Sequence, residues 1–307
     1  MPESRRTIHI RESVHSIFYA PLLATVACGF LEVEGLSATI SVVPKGQDGF
    51  QLLREGSIHV MQSAPSASLT RLEKGEGDVP MHIAAINDRD GFYVVGRKPV
   101  ERFSWKTLEG ASLIPSAFAL QPTASLRFCL SEQGVSWERI KIVQGPTSME
   151  EAEELFRKGT GDYVHLQNPN AERLVNEGAG YYVASVGASL GPIAFSSVIA
   201  TRRFLSQQPE MALAFMRAYY KSQKWVLAST PEQIASALQS QFSGTTLNVL
   251  TNSVRRYKDL RNWLPSPVIP VRSYERAVDM WLNAKQITKR YPYEAVVDTS
   301  LAQKVMG

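Results

Sequence analysis

Strand-like and helix-like runs alternate along the first two thirds of this chain, and nothing else in the sequence restricts its fold as much. "TIHIRES" (7–13) alternates like a strand, and "APLLATVACGF" follows with Leu22, Leu23, Val26 and Phe30 at helical spacing. "SATISVVP" (37–44) is the next strand, "DGFQLLREG" a short helix, "IHVMQS" (58–63) a strand and "APSASLTRLEKG" a helix. "MHIAAIN" and "FYVVGR" are strands on either side of "DRDG". A second series repeats the rhythm: "ASLIPS" (111–116), the helix 124–134, "RIKIVQG" (139–145), the helix 149–159, "GDYVHLQ" (161–167) and the helix 171–178. Such alternation implies βαβ units and a largely parallel sheet. From "PIAFSSVIA" the chain returns by one strand to long helices, and "TPEQ" (230–233) is a capping box with Pro at the first helical position.

A chain of 307 residues, 44% apolar and 20% charged, has room for two lobes with a real core. The net charge of +4 is spread without like-charge runs, which argues against a nucleic-acid partner. The apolar stretch 17–31 is broken by Pro21 and Gly29 and falls short of the roughly 20 residues that span a bilayer, so no direct membrane insertion is expected. No secretory signal precedes "TIHIRES". As written the chain reads as cytoplasmic, or as periplasmic if an export signal has been removed.

Cys28 lies seven or more residues into its helix, roughly 10 Å of rise from the helix start, with no basic neighbour; it and Cys129 read as structural thiols. The five histidines show no metal-ligand spacing, and no P-loop, G-x-S-x-G elbow or dinucleotide fingerprint occurs. No cofactor is expected.

The order of motifs carries a resemblance. "YAPLLATVACGFLEVEGLSATISVVP", "LLREGSIHVMQSAPSASLTRLEKG", "IAAINDRDGFYVVGRK", "TLEGASLIPSAFALQPTASLRFCLSEQG" and "FRKGTGDYVHLQNPNAERLVNEG" together resemble the NMT1/THI5-like group. That group has the type II periplasmic-binding-protein fold and includes binding components of nitrate, sulfonate, taurine and thiamine-pyrimidine ABC importers. The resemblance implies an α/β protein of two mixed sheets flanked by helices, with a ligand cleft between the lobes. Residues 1–94 and 196–307 would form lobe one and 95–195 lobe two, with crossovers near "GFYVVGR" and "GPIAFSS". It also implies a small organic ligand and, where the role is import, an ABC permease as partner. The group's pyrimidine synthases carry a cysteine-rich iron-binding motif that this sequence lacks.

Ligands of open α/β sheets sit beyond strand ends, at helix N-termini, where free N–H groups favour anions. The candidate contacts are therefore His15, Phe18 and Tyr19 in "SVHSIFY"; Ser63 and Ser66 in "SAPSAS"; Ser116, Phe118, Gln121 and Thr123 in "IPSAFALQPTAS"; and His165 and Gln167, which strand alternation puts on one face. Each has a plainer reading: Phe18 and Tyr19 as core, the serines as helix caps, His15 as a loop histidine. Asn87 lies at the crossover, where turn and hinge roles compete with ligand contact. Importers of the group commonly carry an acidic residue before the proline of "QNPN"; Gln167 and Asn168 stand here instead, which disfavours a strongly cationic ligand. The reading is a binder that closes two lobes on an anionic or aromatic molecule of sulfonate, carboxylate or pyrimidine type. Its rivals are a cytosolic enzyme on the same fold (decarboxylase, desulfinase or pyrimidine-precursor type) and a cytosolic ligand sensor.

Overall fold

The computed structural model describes residues 6–117 and 119–307. Phe118, one of the candidate contacts, lies outside the described residues. Ten strands follow in chain order: β1 (Arg6–Glu12), β2 (Leu36–Val42), β3 (Val60–Ser63), β4 (Met81–Asn87), β5 (Phe92–Gly96), β6 (Ser112–Ile114), β7 (Lys141–Ile142), β8 (Tyr163–Gln167), β9 (Tyr181–Ser185) and β10 (Ser196–Ala200). They form two five-stranded sheets, ordered β2-β1-β3-β10-β4 and β7-β6-β8-β5-β9. The two orders are the same pattern, which explains the echo between the two sequence series.

Neither sheet is simply parallel. β1 pairs in parallel with β2 and β3, and β6 with β7 and β8, as βαβ units require. β10 runs antiparallel between β3 and β4, and β5 runs antiparallel between β8 and β9. Each sheet thus receives one reversed strand where the chain enters it from the other lobe. β4 and β5 are buried along their whole length and read as near-continuous apolar runs, the mark of strands covered on both faces. β9 was not expected from the sequence. It is the half-exposed edge of its sheet, so "YYVAS" lacks the apolar weight of its neighbours.

The first passage between lobes is the four-residue stretch 88–91, since β5 already belongs to the second sheet. It therefore precedes "FYVVG" rather than running through it. Two close approaches fix this passage. A Cβ on Gly91 would fall 2.3 Å from the Phe18 ring, and one on Gly187 would fall 2.0 Å from the Asp90 carbonyl oxygen. Only glycine lets the backbone and the Phe18 ring meet there.

Several helix bounds differ from expectation. The helix expected at 124–134 runs Leu120–Glu132, one turn earlier, because Pro122 fits its first turn. The capping box is present: Thr230 accepts from the Gln233 N–H and the Gln233 side chain accepts from Thr230. Among the described residues, no helix is long and apolar enough to cross a membrane.

Candidate functional site

The two serine-rich turns do face each other. Helix Pro65–Glu73 starts directly after β3, and helix Leu120–Glu132 starts in the other lobe. The Ser66 hydroxyl donates to Gln121 Oε1 across the gap. Gln121 Nε2 in turn donates to the Phe195 carbonyl at 2.7 Å, just before β10. Around this bridge lies a cavity of about 470 Å³. Its buried walls include Tyr19, Phe50, Gln62, Ser63, Ser66, Phe92, Gln121, Pro122, Gln167, Phe195, Ser196 and Trp281.

Both helix starts lack side-chain caps. Ala64 and Ala119 stand at the N-cap positions, and neither makes a cap hydrogen bond. Side-chain caps are present at Asp48, Ser148, Thr201 and Thr246, and are absent also from the helices Ala20–Ala27, Asn170–Asn176, Pro209–Ala228 and Val271–Asn283. Alanine is poor at this position, and the first N–H groups of a helix have no partner within it. Pro65 and Pro122 carry no N–H and the Ala67 N–H donates to the Ala64 carbonyl at 2.9 Å, so these starts can offer a ligand the N–H of Ser66 and those of Leu120 and Gln121.

Among the described residues, the buried part of the cavity carries no carboxylate, imidazole or cationic side chain. Its charged residues are the less buried Arg71, Lys74 and Glu76. Arg71 is already engaged, holding both oxygens of Asp48 at 2.8 Å and Glu76 at 3.0 Å, and lying 4.2 Å over the Phe50 ring. Deep in the cavity the Tyr19 hydroxyl meets the side chains of Ser196 and Gln167, and burial pushes its pKa far above the tyrosine norm, so it stays a neutral donor or acceptor. Gln62 is held by the Ser13 N–H at 3.0 Å and the Ser13 hydroxyl. Such a lining of aromatic faces, hydroxyls and amides suits a flat organic body with a polar or anionic end.

Of the candidate contacts, Tyr19, Ser63, Ser66, Gln121 and Gln167 line the cavity. Six others do not. Phe18 is fully buried in the core, 5.0 Å from Tyr257 and 5.8 Å from Phe195, because Gly91 leaves room for its ring. Asn87 is spent inside the fold, donating to the Phe18 carbonyl at 2.8 Å and to Asn262 at 2.7 Å. The Ser116 hydroxyl donates to the His165 carbonyl, and Thr123 to the Ser116 carbonyl at 3.2 Å. Both hydroxyls thus brace the turn instead of facing the gap. His165 is fully buried against Phe92, ring centroids 4.8 Å apart, with its pKa pulled down to about 3 by burial. It supports the cavity wall from behind. His15 stacks on Phe242 and bonds Glu12 at 2.8 Å and the Gln241 carbonyl at 2.9 Å. Burial opposes its charged form, but the bond and charge of Glu12 outweigh this and raise its pKa.

Sequence reasoning missed Phe92, Phe195, Ser196, Gln62 and Trp281. The first three flank the crossings, where a signal existed: aromatic and hydroxyl residues beside "DRDG" and "GPIA". Trp281 had no local signal. Cys28 ends its helix, half-buried and away from the lining, and burial raises its thiol pKa. Cys129 is buried, its pKa pushed up to about 12, chiefly by burial. Among the described residues no group of acids, histidines and cysteines could hold a metal ion.

Two α/β lobes with this strand order, joined by two crossings around a gap, define the type II periplasmic-binding-protein fold. A profile of the NMT1-like family matches residues 14–240, and the chain belongs to that family. It is 26% identical over 304 residues, 99% of this chain and 91% of the relative, to YtlA of Bacillus subtilis (strain 168), provisionally named a binding protein. Among solved structures it resembles the alkanesulfonate-binding protein SsuA of Xanthomonas axonopodis pv. citri bound to MOPS. The TM-score is 0.72 at 16% identity, covering 98% of this chain and 100% of that one. It also resembles the desulfurization enzyme DSZB, with TM-score 0.71 at 14% identity over 98% of this chain and 99% of that one. At such identities the likeness is one of fold. This is a substrate-binding-protein-like fold whose gap between lobes can hold a small ligand.

Proposed function

We propose that this protein binds a flat organic anion, a sulfonate or carboxylate on a ring, between its lobes. The observation that carries the reading is the pair of uncapped helix starts, Ala64–Ser66 and Ala119–Gln121, bordering one cavity. The N–H groups of Ser66, Leu120 and Gln121, together with the helix dipoles, favour negative charge, although Pro65 and Pro122 supply no donor. The aromatic walls, Tyr19, Phe92 and Phe195, accept a ring, and the cavity offers no unpaired buried cation that would bind the anion more strongly. Closure is a hinge motion about the two crossings, with the ligand joining helix starts from opposite lobes. In an import role the partner is an ABC permease and the working place is outside the cytoplasmic membrane. The name of YtlA and the sulfonate ligand of the SsuA protein agree with this reading.

The test is a thermal-shift screen with benzenesulfonate, benzoate and a pyrimidine, followed by product analysis after long incubation. A binder melts several degrees higher at about a hundred times Kd and returns the compound unchanged. Conversion of a bound compound would establish the enzyme reading instead.

A further inference from the structure

The cavity has a third wall that belongs to neither serine turn. Helix Val271–Asn283 packs against both Pro65–Glu73 and Leu120–Glu132, the two helices whose starts face each other. Arg276 ties it to the second lobe, 2.5 Å from Glu132 and over the Phe128 ring at 4.7 Å. The Ser273 carbonyl, accepting from the Ala194 N–H at 2.9 Å, ties it to the return crossing. Near its end stands Trp281, only 1% exposed.

Three tryptophans are buried, and two have partnered N–H groups. Trp105 donates to Ser189 at 3.2 Å and Trp263 to the Phe18 carbonyl at 2.9 Å. The Trp281 indole N–H has no partner. Buried indole donors normally find an acceptor; this nitrogen has under 1 Å² of accessible surface, so a ligand oxygen in the cavity satisfies it once the ring turns toward the space it lines. Trp281 has a second position of consequence. With Leu120 it lines both the 470 Å³ cavity and an outer groove of about 630 Å³ that runs past Arg127, Trp137 and Lys285. Those two side chains are the partition between the spaces.

We infer that Trp281 is the specificity-determining residue of the cleft, donating its indole N–H to an oxygen of the bound anion and closing the cavity to larger rings. This inference rests on the cleft reading proposed above. An oxygen-bearing ligand satisfies the donor; an apolar one leaves it stranded, which is the stronger basis for discrimination. Ring size is limited by the indole and Leu120, beyond which the outer groove begins.

Calorimetric titration with benzenesulfonate and naphthalene-2-sulfonate tests it on wild type, Trp281→Phe and Trp281→Leu. Phe keeps an aromatic wall but removes the donor and part of a buried ring, so benzenesulfonate affinity falls about tenfold and Tm falls by a few degrees. Leu thins the partition, so the naphthalene compound gains about tenfold relative to the benzene compound. The ¹H–¹⁵N indole resonance that Trp281→Phe deletes should also shift when benzenesulfonate is added to the wild type. If wild type binds benzenesulfonate, Trp281→Phe binds it equally well and that resonance stays still, this inference is wrong and the cleft reading survives. If wild type binds neither compound, both fall together.

Discussion

The gap between the lobes is closed by opposite chemistries on its two sides. On the cavity side, buried contacts are neutral: hydroxyls, amides and aromatic faces, with two helix starts left uncapped. On the far side, helix Leu247–Asp259 meets helix Asn170–Asn176 through charge. Arg256 Nε lies 2.9 Å from a Glu172 carboxylate that is only 4% exposed, and its guanidinium stacks 3.6 Å over the Tyr182 ring. The Tyr182 hydroxyl lies 2.8 Å from both the Glu172 carboxylate and the Asn168 side-chain oxygen, with one proton to share between them, and the Asn168 N–H donates to the Tyr257 hydroxyl at 3.0 Å. One side is a clasp whose buried carboxylate has its counter-charge, with only the Asn168 side-chain amide N–H left unpaired among the groups named; the other waits for a partner. A surface built to stay shut buries charge with its counter-charge, whereas one built to receive a ligand keeps donors free.

This contrast can be broken in four places. The largest effect concerns the passage itself, where Asp90 is buried and burial pushes its pKa up to about 7. The unfolded chain ionises this carboxyl near pH 4, but the native state holds its proton until about pH 7. The folded state therefore binds more protons in that window, and stability falls as pH rises through it. The difference is worth roughly 4 kcal/mol. Asp90→Asn removes the slope, so melting curves of variant and wild type should diverge in the variant's favour from pH 4 to pH 7.5. Parallel curves would show that Asp90 does not titrate there.

Gly187→Ala comes next. Its Cβ would press on the Asp90 carbonyl, for a loss of about 3 kcal/mol by denaturant unfolding. Arg256→Ala leaves Glu172 buried without its cation and should cost about 2 kcal/mol, with little change in benzenesulfonate affinity. Gln121→Ala should do the reverse. Losing its bonds to Ser66 and Phe195 costs stability only about 1 kcal/mol, but probe affinity should drop about tenfold. If the clasp variant lost binding and the cavity variant lost only stability, the division between the two sides would be wrong.

The sequence made part of this legible, for physical reasons. Local periodicity revealed nine of the ten strands because seven carry buried residues in register, while β2, with only Leu36 buried, and the short β7 still alternate in sequence. The two facing turns were legible because a serine-rich loop after a strand marks a helix start wherever it lies. Strand direction was not, because β5 and β10 reverse through pairings set by distant segments. Phe18 shows the same limit: whether its ring enters the cavity or the core was decided by Gly91, more than seventy residues on. Trp281 shows it most clearly. It reaches the cavity only because a tail helix packs across both lobes, and nothing near residue 281 in the sequence announces that.

The claim that two open helix starts select an anion is tested most directly by titrating the wild-type protein with benzenesulfonate and with methyl phenyl sulfone, its neutral near-isostere. The sulfonate should bind at least about tenfold more tightly, with the advantage shrinking only modestly in high salt because the site is buried. Equal binding of the two, or a preference for the neutral sulfone, would contradict the account.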